Sequence, residues 1–287
     1  MSKIFKAYAP ASAANLSVGF DLLGAALKPI DGALLGDEIT ISENSEKGCD
    51  VAVVGRFAYL MYKDALEKKG LKVKDVHMEL SKNLPVCSGL GSSAASVVAA
   101  VVALDAIHSE ALGQEGCLEL MGRLEGKISG SIHYDNVAPC YFGGLQLIVQ
   151  KNGVISTTLP DFDNWVSCFP GIKVSTNAAR QILPKEYSRA DVITFGRRLA
   201  TFVHACHEGN DKLAASCLID VIAEPYRASL IPGFTDAREF GKTLGALATG
   251  ISGSGSSVFS IFEDKEKAEQ MKEYLERNFI ANEDGFC

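Results

Sequence analysis

Between Ser92 and about His108 the chain carries Val97, Val98, Val101, Val102, Leu104 and Ile107 among alanines, so the stretch is apolar on every side of a helical wheel. A helix with no polar face must be enclosed by other elements, and this one is therefore expected at the centre of the fold. No apolar run reaches the roughly 20 residues that would span a bilayer. With 287 residues, 47% of them apolar and 22% charged, the chain can bury such a core in one large or two ordinary domains, and two is the reading adopted here.

The helix opens from a run of small residues, Pro85-Val86-Cys87-Ser88-Gly89-Leu90-Gly91-Ser92-Ser93-Ala94-Ala95. Glycines let backbone approach a ligand closely, and serines supply hydroxyls. The first helical turn presents unpaired N–H groups at a positive dipole end. Together these make an anion cradle, against the plainer reading of a strand-to-helix turn with a serine cap. A Walker loop needs Gly-Lys-Ser/Thr at its end, and no lysine is present. Gly89-Leu-Gly91-Ser-Ser-Ala94 fits the dinucleotide fingerprint, but the required second strand with an acidic end falls inside the helix, where Asp105 lies. A nicotinamide oxidoreductase is thus disfavoured. Two more segments of this kind, Pro10 to Asp21 and Gly250 to Val258, suggest loops that converge on one ligand.

Strands are expected at Ile4 to Ala9, Glu38 to Ser42, Val51 to Val54, Val76 to Leu80, Leu145 to Gln150, Val166 to Phe169 and Ser257 to Phe262. Helices are expected at Tyr59 to Lys69, Cys117 to Glu125, Asp191 to His207, Asp211 to Ile222 and Lys265 to Arg277. Strands and helices do not alternate, so the fold class is α+β, with a domain boundary near residue 160. A net charge of −7 disfavours a nucleic-acid partner. The N-terminal residues lead into no signal-type segment, so a cytoplasmic protein with no membrane partner is expected. Eight cysteines without a C-x-x-C pair read as reduced, mostly buried thiols. Cys87 lies where a helix start would stabilise a thiolate, but nothing near it in sequence is arranged as a base.

Taken in order, the three small-residue segments resemble the signature motifs of the GHMP kinases, the superfamily of galactokinase and of homoserine, mevalonate and phosphomevalonate kinases. The likeness covers nearly the whole chain. Within that superfamily, Tyr8 to Asp21, Ser129 to Pro139, Phe169 to Thr176 and Glu224 to Arg227 resemble homoserine kinases of the enterobacterial type. The resemblance implies a two-domain α+β fold, with residues 1–160 as a ribosomal S5 domain 2-like ATP-binding domain and 161–287 as a ferredoxin-like α/β sandwich. It implies ATP with its phosphates over Pro85 to Ala95, Mg²⁺ on Ser93 and Glu125, and L-homoserine as the substrate in threonine biosynthesis. Arg180 and Arg227 match positions that bind the substrate carboxylate, while Asn15, Asp21 and Asn136 match positions lining its amino and hydroxyl ends. Where other members place a catalytic Asp, Asn136 stands, so direct in-line transfer is expected. In it Asn136 orients the hydroxyl and Thr176 assists near the γ-phosphate. Asp135 is the competing base, and His133 is read as structural. A homodimer is also implied.

Two departures from the pattern stand out. The stretch from Gly55 to Val76 is shorter than in relatives and lacks the Glu-Asn-hydrophobic tract that encloses adenine. The chain ends at Gly285-Phe-Cys287, where relatives continue into a final strand, which predicts an uncovered sheet edge. The rival readings are a GHMP kinase of another small alcohol and a non-catalytic homologue that binds a small ligand.

Overall fold

A computed structural model describes residues 4–43, 53–150, 154–160 and 162–287. The first part of the chain forms β1 (Ile4–Pro10), β2 (Ser12–Ala14), β3 (Leu23–Ala26), β4 (Gly36–Glu43), α1 (Val53–Lys68), β5 (Val76–Ser81), α2 (Ser92–Ile107), α3 (Gly113–Ser129), α4 (Val137–Phe142), β6 (Leu145–Gln150) and β7 (Val154–Leu159). The remainder forms β8 (Asn164–Cys168), α5 (Thr176–Gln181), α6 (Arg189–His207), α7 (Asp211–Ser216), α8 (Glu224–Arg227), α9 (Phe234–Leu244), β9 (Ala248–Ile251), β10 (Val258–Phe262) and α10 (Lys265–Asn278).

The strands make three antiparallel sheets in the orders β1-β4-β5, β2-β3-β6-β7 and β8-β10-β9. Sheets and helices are mixed without βαβ alternation, as an α+β fold requires. As its composition dictates, α2 is the hub: it packs on β1, β4, α1, α3 and α4, and Val97, Ala99, Ala100, Val101, Ala103 and Leu104 are fully buried. The core around it continues into the second half through Phe169, Phe202, Phe259 and Ile261. A smaller core, with Val166, Phe234, Phe262, Met271 and Leu275, lies between the third sheet and α9 and α10. Among the described residues no helix is long and apolar enough to cross a membrane.

Four expectations need correction. The predicted strand Val51 to Val54 lies partly outside the described residues, and Val53 and Val54 open α1 instead. Gly55, Ala58, Met61, Tyr62 and Leu66 form a buried helical stripe against α2, and that packing outweighs the β-branched run. The helix expected to Ile222 stops at Ser216, because the Asp220 carboxylate accepts the N–H groups of Ile222, Ala223 and Glu224 at 2.7, 2.8 and 3.0 Å and starts α8. The cysteines are not all thiols, since Cys168 and Cys287 are joined in a disulfide. The sheet edge expected to lie uncovered does not: Phe286 forms a β-bridge with Phe169, so the tail lies along the edge that β8 would otherwise present.

Candidate active site

The three small-residue segments meet. Ser12 N–H donates to Leu90 O at 3.0 Å, Ser257 N–H to Ser88 O at 2.9 Å, and Gly253 N–H to Ala14 O at 3.0 Å. Ser252 Oγ donates to Gly89 O at 2.6 Å, and Asn15 Nδ2 to Gly253 O at 3.1 Å. Glycine is required at the crossing points. Gly89 has a φ of 81°, and a Cβ there would stand 2.5 Å from Ser252 O. At Gly91, φ 65°, it would stand 2.1 Å from Ser12 Oγ and 2.9 Å from Asn136 Oδ1.

Gly91 is the N-cap of α2 and has no side-chain cap; Ala95 N–H makes the first return bond, to Gly91 O at 2.8 Å. The N–H groups of Ser92, Ser93 and Ala94 are therefore left for a ligand. Side chains in the loop divide the work. Ser88 Oγ turns back to Pro85 O at 2.8 Å, and Ser92 Oγ to Leu84 O at 3.2 Å, which holds the loop's shape. Val86 and Cys87 are exposed, whereas Leu90, Ala94 and Ala95 anchor the turn in the core. Ser93 Oγ alone among these hydroxyls reaches across, donating to Glu125 Oε2 at 2.7 Å.

Glu125 is buried on α3, and desolvation raises its pKa against the pull of the Ser93 hydrogen bond and the Lys82 charge. A buried carboxylate beside a hydroxyl, at the mouth of an anion cradle, fits a hard divalent cation that takes one or two protein oxygens. Lys82, at the end of the strand that leads into the loop, is a charge that motif reading missed. Its Nζ ion-pairs with the fully buried Asp37 and donates to Ser92 O at 2.7 Å and Ser96 Oγ at 3.0 Å. Asp37 also accepts the N–H groups of Asn83 and Leu84, both at 3.0 Å. That network ties β4 to the first turn of α2.

Next to the cradle lies a cluster of opposed charges, the charged pocket. Arg180 on α5 grips Asp21 with two bonds, Nη1 to Oδ2 at 3.2 Å and Nη2 to Oδ1 at 2.8 Å, and Nη2 also meets His133 Nδ1 at 3.1 Å. Burial pushes the His133 pKa down, which suits a neutral ring that accepts from the guanidinium. Asp21, His133 and Asp135 bring one ligand atom each within 4.8 Å of one another. Asp135 Oδ1 is buried without a hydrogen-bond partner, and burial together with the Asp21 charge pushes its pKa up to about 7. Arg227 on α8 is 3% exposed; its Nε donates to Ala179 O at 3.0 Å and its Nη1 to Gly253 O at 2.9 Å.

Asn136, the N-cap of α4, joins pocket to cradle: its Oδ1 accepts from Ser12 Oγ at 2.9 Å and borders Gly91. Its Nδ2 makes no hydrogen bond among the described residues, so the donor side of the amide is uncommitted. Thr176 Oγ1 lies 3.3 Å from Ser254 Oγ of the third segment. Asn15 meets the pocket differently, since its Oδ1 accepts Asp21 N–H at 3.0 Å while its Nδ2 holds Gly253. It braces two loops. Of the sequence-predicted site residues, Asn136 borders the cradle, Asp21 and Arg180 pair with each other, and Asn15 and Arg227 both bond Gly253 O. Lys82 escaped motif reading because it stands before the small-residue run that begins at Pro85. His133, read as structural, sits within the pocket.

Comparison with known proteins places these elements in context. Residues 52–144 match the family model "GHMP kinases N terminal domain" and residues 202–281 match "GHMP kinases C terminal". The crystal structure of homoserine kinase from Cytophaga hutchinsonii is 31% identical, with 97% of this chain and 91% of that chain covered and a TM-score of 0.86. Streptococcus pneumoniae phosphomevalonate kinase in complex with phosphomevalonate and AMPPNP is 13% identical over 99% of both chains, at a TM-score of 0.76. The L. major mevalonate kinase in complex with R-mevalonate is 15% identical, covering 97% of this chain and 93% of that one, at 0.62. At these lower identities the likeness is one of fold.

Proposed function

The chain belongs to the GHMP kinase family, and on that premise we propose that it transfers the γ-phosphoryl group of ATP to the side-chain hydroxyl of L-homoserine, giving O-phospho-L-homoserine. One observation carries the choice of substrate: two guanidinium groups, Arg180 and Arg227, face two carboxylates, Asp21 and Asp135, in a pocket that touches the anion cradle through Asn136. An α-amino acid needs that combination. The arginines provide N–H forks for its carboxylate, and the acidic pair takes up its ammonium. The 31% identity to a homoserine kinase supports the same reading.

In this mechanism the free N–H groups at the start of α2 cradle the β- and γ-phosphates, where the helix dipole favours negative charge. Ser93 and Glu125 would hold Mg²⁺, which when bound neutralises charge on the phosphates. The Asn136 amide, held by Ser12, donates from Nδ2 to orient the substrate hydroxyl for in-line attack. An amide cannot accept that proton, but a loose transition state needs alignment and charge neutralisation more than early deprotonation, and the proton leaves through the phosphate. Thr176, braced by Ser254, donates near the transferred group.

The test is steady-state ADP release with L-homoserine, L-serine, L-threonine and mevalonate in parallel. The proposal expects homoserine to give the highest kcat/KM by at least about tenfold, the cost of one misplaced polar group. A preference for mevalonate, or nucleotide binding without turnover on any alcohol, contradicts it.

A further inference from the structure

The two arginines share a further neighbour, in the first small-residue segment. The Arg180 guanidinium carbon lies 5.6 Å and that of Arg227 5.4 Å from the centroid of one ring, Phe20. Two like charges that converge repel, and after burial it is the Arg180 charge that pushes the Arg227 pKa down. Their neutralisation is uneven. Arg180 has both oxygens of Asp21, whereas the hydrogen bonds of buried Arg227 go to the backbone oxygens of Ala179 and Gly253. Besides the Asp21 and Asp135 charges, which act on both, the electron-rich ring of Phe20 lies against each guanidinium. The next residue, Asp21, has a φ of 59°, a turn that brings ring and carboxylate of consecutive residues onto the same pair.

We propose that Phe20 is a positioning residue: its ring sets the spacing of Arg180 and Arg227 so that their remaining N–H groups fit one substrate carboxylate. The role rests on the amino-acid reading above. It concerns the carboxylate end alone, so its loss weakens substrate binding and leaves the phosphoryl-transfer step intact.

Steady-state kinetics of Phe20→Leu and Phe20→Met against Phe20→Tyr and Phe20→Trp test the role, with L-homoserine and with its carboxylate-free amino-alcohol analogue as substrates. The non-aromatic variants should raise the KM for homoserine about tenfold, the loss expected for two partly buried cation–π contacts, while the KM for ATP and kcat stay within about twofold. The aromatic variants should restore the KM, and the carboxylate-free analogue should show no difference between Phe20 and Leu. An unchanged homoserine KM in both non-aromatic variants, or an equal loss on the carboxylate-free analogue, overturns the role while the substrate reading stands. Wild-type protein silent on homoserine overturns the substrate reading, and the role with it. Melting curves and the ATP KM of each variant report folding separately from carboxylate binding.

Discussion

Glu125→Gln should make the protein inactive without making it less stable. The side chain is 8% exposed, its Oε2 accepts the Ser93 hydroxyl, and desolvation holds its pKa above the ordinary glutamate value against the pull of that bond and of the Lys82 charge. A carboxyl raised in this way contributes stability that is full below its unfolded pKa and lost as pH rises through the folded one, so ionisation weighs against the fold. Glutamine keeps the shape. It gives up a charge-assisted bond of about 1.5–3 kcal/mol and relieves a carboxylate desolvation of several kcal/mol. The balance lies between zero and about 2 kcal/mol in favour of the variant, a rise in Tm of up to about 5 °C for a chain of this size. Activity should move the other way. Changing groups that merely orient a metal ligand costs 10–100-fold, so losing a direct one should lower kcat/KM by at least about 100-fold. Thermal melts, with ADP release measured across a Mg²⁺ titration, check both halves. A variant with undiminished activity and unaltered Mg²⁺ dependence, or one that melts well below wild type, would refute the reasoning.

Further outcomes follow from the same geometry. Gly91→Ala must hold a side chain at φ 65° against Ser12 Oγ and Asn136 Oδ1, so it should lose about 2–4 kcal/mol in denaturant unfolding and most of its turnover together. Asp135, with its pKa raised to about 7, should give kcat/KM for homoserine that climbs as pH rises from 6 to 8, because the ionised form pairs with the substrate ammonium; Asp135→Asn should flatten that profile. Should Asp135→Asn instead abolish turnover with both binding constants intact, Asp135 is the base and transfer is not base-free. Cys287→Ser should lower Tm under oxidising conditions by several degrees and leave it unchanged in excess thiol, since the bond to Cys168 closes a long loop.

Much of this molecule is legible in its residues, and the reasons differ from place to place. The central helix α2 announces itself because every face is apolar, and only a hub position can satisfy that. The cradle is equally open to reading, since Gly89 and Gly91 occupy backbone conformations and crossings that only glycine tolerates. The pocket was reachable only through the family resemblance. Its contacts join Asp21 to Arg180 and Arg227 to Gly253, segments far apart in sequence, and no periodicity encodes such pairs. Short elements such as β9, α4 and α5 hold four to six residues and show too little pattern to register. The Cys168–Cys287 pairing spans 119 residues and follows from the path of the tail beside β8, which the spacing of the cysteines does not reveal.

A crystal structure with a non-hydrolysable ATP analogue, Mg²⁺ and L-homoserine examines the whole arrangement at once. Phosphate oxygens are expected on the N–H groups of Ser92 to Ala94, the metal between them and Glu125, and the substrate carboxylate on Arg180 and Arg227. A triphosphate bound elsewhere, with the turn at Gly89 to Ser93 left to solvent, would contradict it.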